Sequence, residues 1–162
     1  MDKKKITGEY IAGFVDGEGC FSLTLRKDKG KYLYWKSGFS ILLRDDDVNI
    51  LTRIRNYFNC GGISYTRSFV RYQISNNDDL VKVIIPFFDK FKLIGKKRND
   101  FELWKEAVLI IDKNKMKKIN VSIGKKGFTW NHWNTDDINR LKVIRNKMLK
   151  YKSGSLRRNF KY

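Results

Sequence analysis

The sequence predicts an α+β domain in the order α-β-β-α-β-β-α, with one antiparallel sheet covered by helices on one face and open on the other. Three observations lead there. Period-2 alternation recurs in two pairs of short segments, residues 21–26 with 34–41, and residues 63–67 with 69–75. Each pair runs into an acid-bearing cap, Asp45-Asp46-Asp47 or Asn76 to Asp79, which is followed by helically spaced apolar residues. Finally, residues 40–48 echo residues 72–80, so the core reads as two ββα units behind a leading helix.

The leading helix is expected over residues 8 to 18, with Thr7 as its N-cap. Phe21, Leu23 and Leu25 then alternate with Ser22, Thr24 and Arg26, the pattern of a half-buried strand. Lys27 to Lys31 make a turn, and the second strand sets Trp35, Phe39 and Ile41 against Tyr34, Lys36, Gly38 and Ser40. Val48, Leu51, Ile54, Tyr57 and Phe58 form the stripe of the second helix. After Cys60-Gly61-Gly62, a second hairpin spans Ile63 to Arg67 and Phe69 to Ser75. The third helix carries Leu80, Val83, Ile84 and Phe87, and Pro86 inside it is expected to kink the helix or end it early. A helix from Asp100 to about Asp112, a short strand at 119–123, a helix from Ile138 to about Tyr151 and an Arg-bearing tail complete the expected elements. All 162 residues read as one domain, with a core at about 6–112 and a basic C-terminal extension at about 113–162.

Composition narrows the partner. The chain holds 35 Lys and Arg against 17 Asp and Glu, a net charge of +18, which calls for a polyanion, nucleic acid first. Residues 95–162 carry 19 basic and 6 acidic side chains, so the C-terminal part acts as an electrostatic clamp. No apolar run approaches membrane-spanning length and no signal-peptide pattern is present, so an intracellular protein is expected, in the cytoplasm, nucleoid or an organelle matrix, with neither a membrane nor a small-molecule substrate as partner. Cys20, Cys60 and the single His132 cannot make a four-ligand zinc site.

The chemistry concentrates at residues 10 to 19, Tyr-Ile-Ala-Gly-Phe-Val-Asp-Gly-Glu-Gly. Gly13 and Gly17 lie four apart on one helical face, where missing side chains admit a second backbone. A core-filling helix would seldom use Gly twice, since each interior Gly costs about 1 kcal/mol against Ala. The acids Asp16 and Glu18 close the helix.

This run resembles the LAGLIDADG motif of homing endonucleases and intron maturases, with Ile11 to Gly19 matching position by position and Glu18 in place of the usual final Asp. The resemblance implies the LAGLIDADG homing-endonuclease fold, whose saddle-shaped sheet lies along duplex DNA. It implies a Mg²⁺-dependent endodeoxyribonuclease that makes a staggered double-strand cut in a long pseudo-palindromic site, with Mn²⁺ or Ca²⁺ able to substitute in binding. Glu18 would be the metal ligand and catalytic acid group, and the backbone carbonyl of Gly17 a further ligand. Lys96 and Lys97 match the basic pair that lends one lysine to the active site; which of them is in register stays open at this point. Ile11, Ala12, Gly13, Asp16 and Gly17 would form the interface of a homodimer, since the sequence holds a single motif copy. The position of a water-orienting Gln in several relatives aligns with Leu43, a departure.

Ser22, Thr24, Arg26, Tyr34, Lys36, Ser40, Ser64, Thr66, Arg71 and Gln73 fall on the polar side of the alternation, where side chains can enter the major groove and read base edges. Arg67 and Lys27, Lys29 and Lys31 would hold phosphates. An RNA maturase or a non-cleaving DNA- or RNA-binding regulator of the same fold is the alternative, and a basic structural protein would leave Glu18 without a task.

Overall fold

The computed structural model describes residues 5–28, 32–115 and 133–156, and its backbone follows the expected order. Helix α1 (Gly8–Glu18) starts where the Thr7 hydroxyl accepts a hydrogen bond from the Tyr10 amide at 3.2 Å. Strand β1 (Gly19–Asp28) leaves it directly and pairs with β2 (Tyr32–Arg44). Asp45–Asp47 make a 3₁₀ turn into α2 (Val48–Phe58). That helix ends at Asn59 in the left-handed conformation, and Gly61 at φ 76 completes the reversal into β3 (Gly62–Thr66). A turn with Arg67 at φ 47 leads to β4 (Phe69–Ile74).

The sheet order is β1-β2-β4-β3, every neighbour antiparallel, so the two strands that each run into a helix lie together at the centre. This puts the echoed segments side by side: Ser40 pairs with Gln73 and Ile41 with Tyr72. Helix α3 passes through Asn77–Asp79, a π-helical turn at Leu80–Ile84 and a final α stretch at Ile85–Lys90. Pro86 therefore does not end the helix. The wider π turn immediately before it relieves the clash between the proline ring and the preceding turn's carbonyl.

Helix α4 (Lys97–Lys113) begins three residues before its expected start, and α5 (Thr135–Leu156) extends beyond its expected end. Leu141, Ile144 and Met148 of α5 are buried, so part of the basic extension belongs to the core. Polar contacts fix α5 on α4: Arg140 donates to Glu106 at 2.5 and 2.7 Å, and Lys113 and Asn114 donate to Asp137 at 3.0 and 2.9 Å. These partners hold the Glu106 and Asp137 carboxyls below their usual range, the hydrogen bonds from Arg140 and from Asn114 contributing most. The expected strand at 119–123, Lys29 and Lys31, His132, and the tail beyond 156 lie outside the described residues.

The core sits between the sheet and the helices. Phe21 is its hub, with ring centroids 5.5 Å from Phe39, 5.6 Å from Phe88, 5.4 Å from Phe101 and 5.0 Å from Trp104. Each such aromatic buries about 150–250 Å². Tyr72 is also enclosed and donates its hydroxyl to the Cys60 carbonyl at 2.9 Å, and burial pushes its phenol well above the usual range. Burial likewise raises the Cys60 thiol, in keeping with a structural cysteine. Among the described residues, no helix is long and apolar enough to cross a membrane.

Candidate active site

Two stripes on α1 explain its composition. Gly8, Ile11, Ala12 and Val15 face inward and are buried in the chain's own core. Tyr10, Gly13, Phe14 and Gly17, spaced three and four apart, form a second stripe facing out, with the rings of Tyr10 and Phe14 stacked at 6.1 Å. A Cβ placed on Gly13 or Gly17 would meet nothing within 4 Å, so neither glycine serves packing among the described residues. Ile11 and Ala12, expected at a helix–helix interface, are instead core residues. The face open to a second helix narrows to Gly13 and Gly17, flanked by Tyr10 and Phe14.

The helix ends at the exposed Glu18, where its unpaired carbonyls concentrate negative partial charge. There the two lysines differ in placement. The Lys97 ammonium donates to the carbonyls of Gly17 at 3.2 Å and Gly19 at 2.5 Å, bracketing Glu18. Lys96 is exposed at the N-cap of α4, and its ammonium has no partner among the described residues. Lys97 lies in the first turn of its own helix, where a cation opposes the macrodipole by about 0.3–1 kcal/mol. The negative end of α1 supplies the compensation.

Asp16 is tied elsewhere than expected. Its Oδ2 accepts hydrogen bonds from the Ile94 amide at 2.7 Å and the Gly95 amide at 3.1 Å, both within this chain. Its Oδ1 is buried with no hydrogen-bond partner.

The donor set suits a hard divalent cation. Glu18 offers a carboxylate and Gly17 a carbonyl at the electronegative end of a helix, and the Lys97 ammonium already rests there as a cation of the protein's own. No cluster of three or more His, Cys, Asp or Glu side chains capable of holding a metal occurs among the described residues. One carboxylate per chain is few for Mg²⁺, so such a site calls for a second acid from another motif helix.

Beyond Glu18 the chain enters the sheet's open face. Strand pairing aligns Ser40 with Gln73, Thr24 with Lys36, Arg26 with Tyr34, and Ser64 with Arg71, while Ser22 faces Gly38 and Thr66 faces Phe69. All ten side chains selected by alternation therefore share one face, opposite Phe21, Phe39, Ile41, Val70 and Tyr72. Two are partly committed: Ser22 donates to the Gly38 carbonyl at 3.2 Å and Thr24 to the Lys36 carbonyl at 3.3 Å. Arg67 stands apart in the turn between β3 and β4. The polarity filter missed Leu42 and Phe69, which are 41% and 48% exposed on this same face, Leu42 paired with Arg71. Their even and odd positions along β2 and β4 held that signal, but apolar character excluded them. Leu43 packs against the core and faces away from this surface.

Residues 11–108 match the family described as LAGLIDADG endonuclease. A probable intron-encoded endonuclease 2 of Neurospora crassa is 36% identical over 110 residues, covering 67% of this chain and 23% of that protein. The homing endonuclease I-ApeII of Aeropyrum pernix is 25% identical over 126 residues, covering 76% of this chain and 74% of the relative. Among solved structures, I-GzeII in complex with a DNA target superposes with a TM-score of 0.72 at 29% identity, over 88% of this chain and 45% of that one. I-SmaMI bound to cleaved DNA gives a TM-score of 0.75 at 25% identity, over 93% and 47%. This chain thus spans less than a quarter of the Neurospora relative and about half of each of these solved chains.

Proposed function

This chain belongs to the LAGLIDADG endonuclease family, and from that premise we propose that it is a site-specific DNA endonuclease of intron origin. It makes a staggered double-strand cut in a long pseudo-palindromic duplex by metal-assisted phosphodiester hydrolysis, working inside a cell or organelle. The observation that carries this reading is Glu18, exposed at the end of α1 between two carbonyls that a lysine bridges, at the entrance to an open polar sheet face. A pure DNA binder gains nothing from a carboxylate turned towards phosphates.

The residues divide the work. Glu18 and the Gly17 carbonyl would hold Mg²⁺, which would supply an activated water and neutralise charge developing on the phosphate. Lys97 presents a fixed ammonium to the same phosphate and stabilises its transition-state charge. The open face, with Arg71 and Gln73 at its centre, reads bases in the major groove, while Arg67 and the basic extension hold the backbone. Two motif helices meet through Gly13 and Gly17 of a homodimer, which sets two copies of Glu18 side by side. The open glycine stripe supports this arrangement. So does the Aeropyrum relative, whose matched 74% leaves no room for a second domain of this size.

The test is incubation with a plasmid library and Mg²⁺, followed by mapping of discrete double-strand breaks. Glu18→Gln should abolish cutting and leave DNA binding within a few-fold. Substantial Mg²⁺-dependent cleavage by that variant removes the metal-ligand assignment. Tight RNA binding with no cut in DNA favours a maturase instead.

A further inference from the structure

We propose that Asp16 is a positioning residue: by gripping the backbone of Ile94 and Gly95 it sets the start of α4, and with it the Lys97 ammonium beside Glu18. The inference rests on the reading of Lys97 given above, but its central measurement needs no DNA.

Segments 16–19 and 94–97 interlock at two points. At one end, Asp16 Oδ2 receives two amide hydrogens, from Ile94 at 2.7 Å and Gly95 at 3.1 Å. At the other, Lys97 returns to the carbonyls of Gly17 and Gly19 at 3.2 and 2.5 Å. Glu18 lies within the fastened segment in sequence. The link from Gly95 to Lys97 is short and wound, since the Arg98 amide donates to the Gly95 carbonyl at 3.1 Å, so a displacement at Gly95 passes directly to the first turn of α4.

Several features mark the grip as selected for placement over stability. Leu93 anchors the start of this loop in the core, but Ile94 is 93% exposed, so past Leu93 apolar burial does not set the path of Ile94 and Gly95. Asp16 Oδ1 is buried without a partner, an arrangement that costs free energy and persists only where the surroundings dictate it. Residue 95 is glycine, and a Cβ there would stand 3.1 Å from Asp16 Oδ1, closer than ordinary van der Waals contact, so the carboxylate and the loop would have to part by a few tenths of an ångström.

The experiment is competitive amine labelling of Lys97 against Lys96 in the native chain and in Asp16→Ala, Asp16→Asn and Gly95→Ala, with cleavage of a selected site measured in parallel. In the native protein Lys97, docked on two carbonyls, should label several-fold more slowly than Lys96. Asp16→Ala and Gly95→Ala should bring the two rates together and slow cleavage about 10- to 100-fold, the scale of a misplaced catalytic group, with DNA binding retained. Asp16→Asn, which keeps an acceptor oxygen of the same shape, should preserve slow labelling and cut within a few-fold of native. In a Lys97→Met background, Asp16→Ala should cause little further loss of cleavage, because the two residues act in series. Unchanged labelling in both Asp16→Ala and Gly95→Ala overturns the inference, as do losses that simply add to that of Lys97→Met. An Asp16→Asn variant as damaged as Asp16→Ala also overturns it, since charge and not placement would then matter. If labelling shifts as expected but Lys97→Met cuts like the native chain, the positioning stands and the role given to Lys97 falls.

Discussion

Replacing Lys97 by Met removes an ammonium and leaves most of its apolar stem in place, so the effects on stability and on cleavage separate. In the folded chain the ammonium sits at the negative end of α1 and in the positive first turn of α4. Those helix-dipole contributions are about 0.3–1 kcal/mol each and of opposite sign, so they nearly cancel. What remains is the loss of hydrogen bonds to the carbonyls of exposed Gly17 and buried Gly19, about 1–3 kcal/mol. Catalysis should respond more strongly. A fixed donor aimed at developing charge is worth about 10²–10³ in rate, or about 2.7–4 kcal/mol. The assay is single-turnover cleavage of a selected site at saturating protein, beside a thermal melt of the same preparations. Lys97→Met should melt modestly below native and cut at least a hundredfold more slowly, while Lys96→Met should alter mainly the salt dependence of binding. A Lys96→Met variant slower than Lys97→Met, or native rates in Lys97→Met, would refute the reasoning.

Gly13→Leu, at a position open within this chain, should leave the thermal melt nearly unchanged but abolish both self-association and cutting; sedimentation of a native monomer on cleaved DNA contradicts the shared-site arrangement. Arg71→Ala should relax preference at one symmetric pair of base positions by about 1–3 kcal/mol, read by binding-site selection, whereas loss of Lys125, Lys126, Arg157 or Arg158 should weaken all sequences alike and lower the salt slope by about one unit per contact. Gly61→Ala forces a Cβ to 2.6 Å from an Ile74 side-chain carbon and 2.8 Å from the Gln73 carbonyl at φ +76, so it should destabilise by more than about 1 kcal/mol in a denaturant melt. Acid should free α5 first: the Glu106 and Asp137 carboxyls are held low in the folded chain, so their contribution is present above about pH 4 and is lost as pH falls through the folded values. Pepsin should then cleave within α5 before the sheet opens, and simultaneous loss of both would count against that account.

The sequence by itself determined the element order, the face of each strand and the motif. Alternation and helical spacing are local properties, and one buried face obliges each strand to keep its register. Thr7 and Asn76 marked helix starts because each cap side chain accepts an amide hydrogen within its own turn, and the acidic run at 45–47 marked one through its charge at a positive helix end, without a side-chain cap bond. Only the tertiary structure decided which lysine docks on the Gly17 and Gly19 carbonyls, because Lys96 and Lys97 differ by about 100° of helical rotation and nothing local distinguishes them. It also moved the start of α4 forward onto Lys97, where a cation opposes its own helix and the compensating charge comes from α1, some eighty residues earlier in sequence. Asp16 followed the same rule: a motif acid that sequence assigned to a partner helix is occupied by the amides of Ile94 and Gly95, a long-range pairing that no local pattern encodes. The same packing placed Ile11 and Ala12 in the chain's own core and left Gly13 and Gly17 open, because a helix with two stripes shows which one faces inward only once the sheet lies beneath it.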